Sequence, residues 1–301
     1  MEAWIPITIF AAFFQNVRSA LQKHLKGRLS DTGAGYVRFF YALPFVLLYL
    51  GVLHFVFAFP LPATSVRFFV LCLLGGICQI LFTVLLLWMF SFRSFAVGTT
   101  FSKLEVVAVA ILGYIVLNDT LNIYAWLAIL ISAFGLISLS IGQAKINLAN
   151  LIRGVSEKST LVGLVCAVFL GGSVVFFRAA SLALEHDTLL MSATFTLAVS
   201  LAMQTFIMTL WLVWKEPGEI TKVIRHWRWC GLVGVAASFA SMGWFVAFTM
   251  QNASYVRALG QIELLFTFIV TTVVFREKVA ALEYFGSVLI AIGILLIILK
   301  G

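Results

Sequence analysis

Charged residues are scarce in this chain, and their scarcity excludes a water-soluble domain. Only 11% of the 301 residues are Asp, Glu, Lys or Arg, whereas 62% are hydrophobic. A soluble domain carries roughly 25% charged residues. Apolar runs of about 20 residues recur, long enough for a helix to cross a hydrocarbon core of about 30 Å. Barrel strands would alternate with a period of two residues, and this alternation is absent. We therefore expect an all-α membrane protein.

Motifs that hold metals, nucleotides or reactive groups are also missing from the sequence. The four cysteines lie inside apolar runs without a CxxC pair, and the four histidines are scattered, so we expect no metal and no cofactor. A GxxxxGK[ST] loop is absent, which argues against a nucleotide-driven pump. HExxH and GxSxG are absent too, so an intramembrane enzyme is the weaker alternative. Nothing indicates the filter or charge ring of a channel.

Hydropathy predicts ten spans with short connections. They cover residues 3–21, 34–58, 66–92, 97–117, 121–142, 160–183, 188–214, 229–250, 254–275 and 279–299. The segment 143–159 joins the fifth span to the sixth, and its apolar residues suit either a short interfacial helix or a plain linker. The expected domains are therefore residues 1–142 and 160–301, joined by this segment.

The chain repeats itself once, with five spans in each copy. Glu105 and Glu263 lie 158 residues apart, and at this offset residues 102–119 align with residues 260–277 without a gap. At an offset of 156, Asp31-Thr32 aligns with Asp187-Thr188. Because each copy holds an odd number of spans, the second copy must enter the bilayer upside down. Inverted five-helix repeats are an architecture of alternating-access transporters.

The distribution of basic residues predicts the orientation of the chain in the membrane. The loops after spans 1, 3, 5, 7 and 9 hold thirteen Lys and Arg residues, whereas the opposite side holds only Arg67 and Lys300. The positive-inside rule places the thirteen in the cytoplasm, so both termini are expected on the non-cytoplasmic side. The net charge of +8 is explained by this bias, and nucleic acid is not an expected partner.

Spans 4 and 9 share a spacing of acidic residues. Glu105 is followed fourteen residues later by Asp119, and Glu263 is followed by Glu277 at the same distance. The next span carries Gly135 in the first copy and Gly293 in the second, and Arg38 lies early in span 2. With the ten-span inverted repeat, this pattern resembles the drug/metabolite transporter superfamily and, within it, the EamA-type ten-helix transporters.

The sequence also departs from the pattern of this family. Val106 and Leu264 follow the first acidic residues where the family usually has Pro, and Asn118 and Arg276 replace the Gly of its Gly-Glu pair. The members usually place both termini in the cytoplasm, which is the reverse of the orientation expected here.

The resemblance implies a secondary transporter that moves a small metabolite by alternating access across a bacterial cytoplasmic, or inner, membrane. The expected partners are a small-molecule substrate, the lipid bilayer and a coupling ion such as a proton. The resemblance further implies that spans 1, 3, 4, 6, 8 and 9 line a central cavity.

Seven ionisable residues lie within the predicted spans: Arg18, Arg38, Lys103, Glu105, Arg178, Arg257 and Glu263. A charge at the centre of a membrane costs about 2.5–3.5 kcal/mol, so such residues mark a pathway by default. Glu105 and Glu263 are repeat partners at opposite depths, which suits gate residues or proton carriers. Alternatively, they are structural acids that satisfy a neighbouring helix end or pair with Arg38 or Arg178.

Lys103 and Arg257 form a second pair of candidates. Lys103 aligns with Gln261, and Gln261 shares a helix face with Arg257 because the two are four residues apart. One cation from each copy suits a substrate with a carboxylate or a phosphate. Alternatively, the two cations form ion pairs with the nearby glutamates. Five cations against two acids in the spans favour a carboxylate-bearing metabolite such as an amino acid over a cationic or amphipathic metabolite or drug.

Polar and aromatic residues of spans 1, 3, 6 and 8 complete the set of candidate substrate-binding or gating residues. A ligand site is largely apolar with a few placed polar groups, and Trp88 and Trp244 could offer a stacking surface. The alternative role of these side chains is packing or anchoring at the membrane interface. The candidates are Gln15, Asn16, Gln79, Trp88, Arg178 and Trp244.

Overall fold

The described part of the chain is helical. The computed structural model describes residues 2–25, 27–89, 95–144, 158–269, 272 and 280–300. Helices α1 to α7 cover Trp4–Leu25, Asp31–Phe40, Ala42–Phe55, Val66–Met89, Phe95–Ser102, Glu105–Leu117 and Ile123–Ala144. Helices α8 to α14 cover Lys158–Leu182, Leu189–Lys215, Glu219–Arg225, Trp227–Met250, Ala253–Gly260, Ile262–Ile269 and Ala281–Lys300. The prediction of an all-α protein is confirmed.

Eight helical stretches of the described residues are long and apolar enough to cross a membrane. They are Asp31–Phe55, Val66–Leu86, Thr100–Leu117, Ile123–Gly142, Lys158–Leu182, Leu189–Lys215, Trp227–Met250 and Ala281–Lys300. Each corresponds to one of the ten predicted spans. The predicted span 3–21 is helix α1, and the predicted span 254–275 begins with α12 and α13, but neither is among the eight. Residues 145–157 of the predicted linker lie outside the described residues, as does Glu277.

The chain divides into two compact units, and each unit draws on both halves of the sequence. Unit 1 comprises Met1–Ile80 and Phe176–Gln251, and unit 2 comprises Leu81–Val175 and Asn252–Gly301. Helices α4 and α8 each contribute one part to unit 1 and another to unit 2. We describe the two units separately.

In unit 1, the segment formed by α2 and α3 packs antiparallel to α9. At one end, Ser30 Oγ donates to a Glu216 carboxylate oxygen at 2.5 Å. At the other end, His186 Nε2 lies 3.0 Å from the carbonyl oxygen of Pro60. Between them, the hydroxyls of Tyr36 and Thr209 are 2.8 Å apart. The Asp31-Thr32 and Asp187-Thr188 motifs thus lead into helices that run in opposite directions.

The break between α2 and α3 has a cause in the sequence. Helix α2 ends at Phe40, Tyr41 forms a turn, and α3 begins at Ala42 with a proline in its first turn. Pro44 has no N–H to donate to the carbonyl of Phe40, and its ring clashes with that carbonyl in a continuous helix. The predicted span 34–58 is therefore kinked at this point.

Helices α1 and α11 also pack antiparallel in unit 1. The His24 and Trp229 rings lie 4.1 Å apart at one end, and Gly243 faces Ala11 further along. A Cβ at Gly243 would lie 2.8 Å from the Ala11 Cβ. Glycine therefore allows these two helices to approach closely, as small residues do in membrane proteins.

In unit 2, helices α7 and α14 form an antiparallel pair. Gly135 of α7 lies so close to α14 that a Cβ there would be 2.8 Å from the Gly286 carbonyl oxygen. At the far end of the pair, Asn122 Nδ2 donates to the Lys300 carbonyl at 2.9 Å. These helices contain the repeat partners Gly135 and Gly293. The fifth span of each copy therefore packs antiparallel against the other.

Candidate functional site

In unit 2, two helical segments break at equivalent positions of the repeat. A turn at Lys103 and Leu104 separates α5 from α6, and a turn at Gln261 separates α12 from α13. The Lys103 N–H donates to the Thr100 carbonyl at 3.2 Å, and the Gln261 N–H donates to the Ala258 carbonyl at 3.4 Å. Both bonds reach back three residues, as in a 3₁₀ turn, which inside a helix often marks a functional hinge. The offset of 158 relates the two turns.

The breaks place the candidate glutamates at the starts of helices. Glu105 lies in the first turn of α6, and Glu263 lies in the first turn of α13. The N-terminus of a helix carries a partial positive charge, which favours a carboxylate there. Arg257 lies in the last turn of α12, where the partial negative charge of the C-terminus favours a cation.

Arg257 and Glu105 form an ion pair in unit 2. Nη2 of Arg257 contacts Oε1 of Glu105, and the two side chains are 13% and 15% exposed. The pair joins the end of α12 to the start of α6. Glu105 thus has a cation partner, as the ion-pair alternative anticipates, but that partner is Arg257 rather than Arg38 or Arg178.

Two polar side chains close to Arg257 in the sequence are buried. Gln261 is 7% exposed, and its Oε1 has no hydrogen-bond partner among the described residues. Ser254 lies three residues before Arg257 and is 1% exposed, and its Oγ likewise lacks a partner within the described part of the chain. Lys103, the repeat partner of Gln261, is exposed. The equivalent turns of the two copies therefore carry different side chains, an exposed lysine in the first copy and a buried glutamine in the second.

Unit 1 contains a polar cavity of about 30 Å³. Its polar lining consists of two arginines, two glutamines and a serine, and its walls are apolar or aromatic. The polar residues are Arg18, Arg38, Gln79, Gln204 and Ser241; the others are Phe39, Leu197, Leu201, Ala237 and Phe245. A cavity of this size has room for more than one water molecule.

Helices of both sequence halves hold the polar groups of this cavity in place. Arg38 lies in the last turn of α2, with its guanidinium 4.6 Å from the centre of the Phe39 ring. Gln204 of α9 is 1% exposed, and its Nε2 donates to Gln79 Oε1 of α4 at 2.7 Å. Arg18 of α1 lies three residues after Gln15, on the same face of the helix.

Gln15 and Trp244 contact each other directly in unit 1. Nε1 of Trp244 donates to Gln15 Oε1 at 2.9 Å, and the Trp244 ring stacks on Phe248 with centroids 5.6 Å apart. Asn16, the next residue of α1, is half-buried.

Trp88 belongs to unit 2, where it is 45% exposed and lies under the Lys158 ammonium group at 4.8 Å. The proposed stacking surface thus has its two members in different units.

Arg178 has a structural partner in unit 1. Its Nη1 donates to the carbonyls of Phe248 and Gln251 at the end of α11. These carbonyls belong to the last turn of a helix, where a cation is favourable. Arg178 therefore caps α11, and its role in transport stays a prediction.

Residues that the sequence analysis did not assign complete the cavity in unit 1. Arg18 was recognised as a charge within a span, and Arg38 also as part of the family pattern and a possible partner of the glutamates, but neither was assigned to a binding site; Gln204 and Ser241 were missed. Gln204 had a usable signal, since it is an amide in an otherwise apolar stretch of span 7. Polar residues inside spans usually face the protein interior, where they mark functional sites.

Two carboxylates outside the spans anchor the start of α2 in unit 1. Glu219 accepts from the Ser30 N–H at 2.6 Å and from Lys222 Nζ at 2.9 Å, and Glu216 accepts from the hydroxyls of Ser30 and Thr32. Burial alone would raise the pKa of Glu219. The hydrogen bonds from Lys222 and Ser30, with the Lys222 charge, outweigh it, so the pKa is lowered.

Potential metal ligands are not clustered in the described ranges. These residues contain no group of three or more His, Cys, Asp or Glu side chains that could hold a metal ion. Arg257 and Glu105 of unit 2 form an ion pair, and the polar lining of the cavity in unit 1 consists of two arginines, two glutamines and a serine. This chemistry suits the binding of a charged solute.

Comparisons with known proteins relate the second half of the chain to one class of protein. Residues 158–299 match the EamA-like transporter family of the drug/metabolite transporter superfamily. Together with the long apolar helices, this match indicates an integral, polytopic membrane protein.

The fold is also found among solved structures. One similar structure is described only as the crystal structure of a protein; it shares 14% sequence identity and a TM-score of 0.71. The alignment covers 98% of this chain and 96% of that chain, and at this identity it shows the fold alone. No curated protein matches the sequence.

Proposed function

We propose that the protein is a secondary transporter that moves a small, carboxylate-bearing metabolite by alternating access. Its ten spans form two inverted repeats, residues 1–142 and 160–301, joined by the segment 143–159. The observation that carries this proposal is the pair of equivalent breaks at Lys103 and Gln261. Discontinuous helices at equivalent positions of two repeats are typical of the substrate and ion sites of secondary transporters.

The antiparallel packing of repeat partners supports the inverted architecture. In unit 1, the segment formed by α2 and α3 runs antiparallel to α9, and in unit 2, α7 runs antiparallel to α14. Each pair joins a helix of the first copy to its counterpart in the second copy. Copies inserted with the same orientation would place these counterparts parallel.

The Glu105–Arg257 pair suggests how an ion gradient is coupled to transport. Protonation of Glu105 would remove the charge that holds the end of α12 against the start of α6. A two-state equilibrium shifts only if a ligand binds one state more tightly than the other. A proton would then favour the conformation in which this pair is open. Glu263, the repeat partner of Glu105, would have the same role at the equivalent turn, between α12 and α13.

Transport is tested with purified protein reconstituted into liposomes. We expect saturable uptake of a labelled amino acid or small organic acid, accelerated by the same compound preloaded inside the vesicles. A channel would show neither saturation nor this counterflow. A preference for organic cations over acids would contradict the substrate class and favour the cationic alternative. Covalent conversion of the solute would favour the intramembrane enzyme.

Orientation is tested with single cysteines introduced into a cysteine-free variant. Arg225 lies in the loop after span 7, Arg67 lies on the opposite side, and both are exposed. In intact cells, a thiol reagent confined to the outside should label Arg67→Cys and leave Arg225→Cys unmodified. The reverse result would place the termini in the cytoplasm.

A further inference from the structure

The segment that joins α9 to α11 in unit 1 exposes charged side chains of one sign. Both helices are long and apolar enough to cross a membrane, so residues 215–228 lie at a membrane surface. The acids of the segment are Glu216, which is half-buried, and Glu219, which is buried. The exposed charged side chains are all cations: Lys215, Lys222, Arg225 and Arg228.

Hydrogen bonds to the start of α2 explain why the acids are withdrawn from the surface. Glu216 accepts from the hydroxyls of Ser30 and Thr32. Glu219 accepts from the Ser30 N–H at 2.6 Å and from Lys222 Nζ at 2.9 Å. The segment contains no further acid, so its three other exposed cations give it a positive outer surface.

Exposed tryptophans accompany these cations. The Lys215 ammonium nitrogen lies 3.9 Å from the centre of the Trp214 ring, and the Arg228 guanidinium carbon lies 5.6 Å from the centre of the Trp227 ring. Trp214 is 70% exposed and Trp227 is 60% exposed. A cation over an indole face is attracted by the ring, which holds it there. Indole rings are enriched where the apolar core of a bilayer meets its headgroups.

Other charges at this end of unit 1 do not reverse the sign. Arg28 and Asp31, beside the start of α2, are exposed and three residues apart, and their charges offset each other. Among the described side chains, the segment between α9 and α11 therefore decides the charge of this surface.

The combination of cations and indole rings narrows the kind of partner. An acidic protein in solution would match the charge, but it would bring no apolar layer for rings at the ends of membrane-crossing helices. An anionic bilayer surface offers both, because its phosphates lie directly beside acyl chains. Basic residues next to a membrane span attract anionic lipids for this reason.

We propose that this basic surface, formed by Lys215, Arg225 and Arg228 with Trp214 and Trp227, binds the headgroup of an anionic phospholipid. The three cations contact the phosphate, and the two rings hold their cations at the depth of the headgroups. The proposal does not rest on the proposed transport function, because it concerns the lipid beside the protein and not the transported solute.

The binding test uses the thermal unfolding of the purified full-length protein in neutral detergent with added lipid. Phosphatidylglycerol is anionic, whereas phosphatidylcholine with the same acyl chains has a phosphate but no net charge. A ligand that binds the folded state raises the unfolding temperature. We expect a saturable rise with phosphatidylglycerol that weakens as salt is added, and a much smaller rise with phosphatidylcholine. Equal rises with the two lipids, or an equal rise with inorganic phosphate alone, would overturn the proposal.

Variants locate the response on the surface. A basic residue near an anionic surface contributes enough to change the affinity about fivefold, so Lys215→Gln/Arg228→Gln should weaken the apparent affinity for phosphatidylglycerol by about 25-fold. Arg67→Gln is the matched control, because Arg67 is exposed at the start of α4 in the same unit. An equal loss in the control would overturn the assignment to this surface.

A variant that keeps the charge separates electrostatic attraction from damage to the fold. Lys215→Arg/Arg228→Lys exchanges the two cations and preserves the charge of the surface. Because both side chains are exposed, this variant and the glutamine variant should unfold at the wild-type temperature without lipid. The exchanged variant should bind phosphatidylglycerol nearly as tightly as wild-type protein. A loss as large as that of the glutamine variant would overturn the proposal.

Discussion

The two compact units contain half-buried arginines in different settings. In unit 2, Arg257 is neutralised by a carboxylate of the protein itself, Glu105. In unit 1, Arg18 and Arg38 share a cavity whose described lining contains no acid. A cation that is paired with an acid of the protein can hold a conformation, whereas cations that line a polar cavity can contact a solute. The comparison separates a candidate hinge from a candidate binding site.

The largest expected effect comes from removing the cation of the paired site. Arg257→Gln leaves the Glu105 carboxylate buried without its partner, which should lower the free energy of unfolding by about 3–5 kcal/mol. Thermal unfolding of the purified variant measures this loss. The double variant Glu105→Gln/Arg257→Gln should recover most of it. Lys103→Gln, at an exposed position, is the control. If Arg257→Gln is no less stable than Lys103→Gln, the ion pair does not hold this unit together.

Helix packing in unit 2 should give the next largest effect. A Cβ at Gly135 would meet the Gly286 carbonyl oxygen at 2.8 Å and the Ile290 backbone nitrogen at 3.0 Å. We expect Gly135→Ala to lower the free energy of unfolding by about 1–3 kcal/mol, because backbone atoms must move apart. Gly231→Ala is the control, since no neighbouring atom lies within 4 Å of its Cβ position. Similar stabilities of the two variants would show that α7 and α14 adapt easily.

A third comparison concerns the carboxylate at the α2 anchor of unit 1. Because folding lowers the pKa of Glu219, its ionised form stabilises the folded protein above the unfolded pKa of about 4.3. This stabilisation is lost as the pH falls through the lower folded pKa. Between pH 6 and pH 4, Glu219→Gln should therefore lose less stability than wild-type protein. If stability depends on pH in the same way in Glu219→Gln and in wild-type protein, the Glu219 carboxylate does not stabilise the start of α2. Glu185→Gln, at an exposed position, is the control.

The smallest effect on stability is expected at the repeat partner of Glu105. Glu263 lies at the start of α13, and Glu263→Gln keeps the size of the side chain while it removes the charge and replaces one acceptor oxygen with an NH2 donor. We expect the variant to fold in normal yield and to transport several-fold more slowly. Counterflow measured at equal protein density provides the test. If yield and transport fall together, Glu263 is a structural acid.

The hinge positions show where prediction from the sequence stopped. Hydropathy predicted 97–117 as one span, but the helix breaks at Lys103 and Leu104. The family usually has Pro after the acidic residue, and here Val106 and Leu264 occupy these positions. Neither Pro nor Gly lies within four residues of Lys103, so local propensity gives no reason for the break there, whereas Gly260 directly precedes the break at Gln261. The kink at Tyr41, by contrast, can be anticipated from Pro44.

The candidate site was recovered only in part. Glu105, Arg257 and Gln261 were predicted from the repeat, and they lie in the same unit around the broken helices. An ion pair of Arg257 with a nearby glutamate was one of the alternatives, and the structure pairs Arg257 with Glu105 of the other copy. The repeat did not specify this partner, because it fixes equivalent positions but not the partner of a side chain. Gln204 was missed because its counterpart in the first copy is apolar, so the repeat did not mark this position.

The sequence by itself determined that the chain lies in a lipid bilayer and which class of fold it adopts there. A chain with 62% hydrophobic residues and 11% charged residues can satisfy its backbone inside a bilayer only by forming helices or a closed barrel. The recurring offsets of 156 and 158 determined which segments are equivalent. Tertiary structure alone decided the charge partners: Arg257 contacts Glu105, Arg178 caps α11, and Arg18 joins Arg38 at one cavity. Such partners come from distant parts of the chain, and only packing brings them within reach of one another.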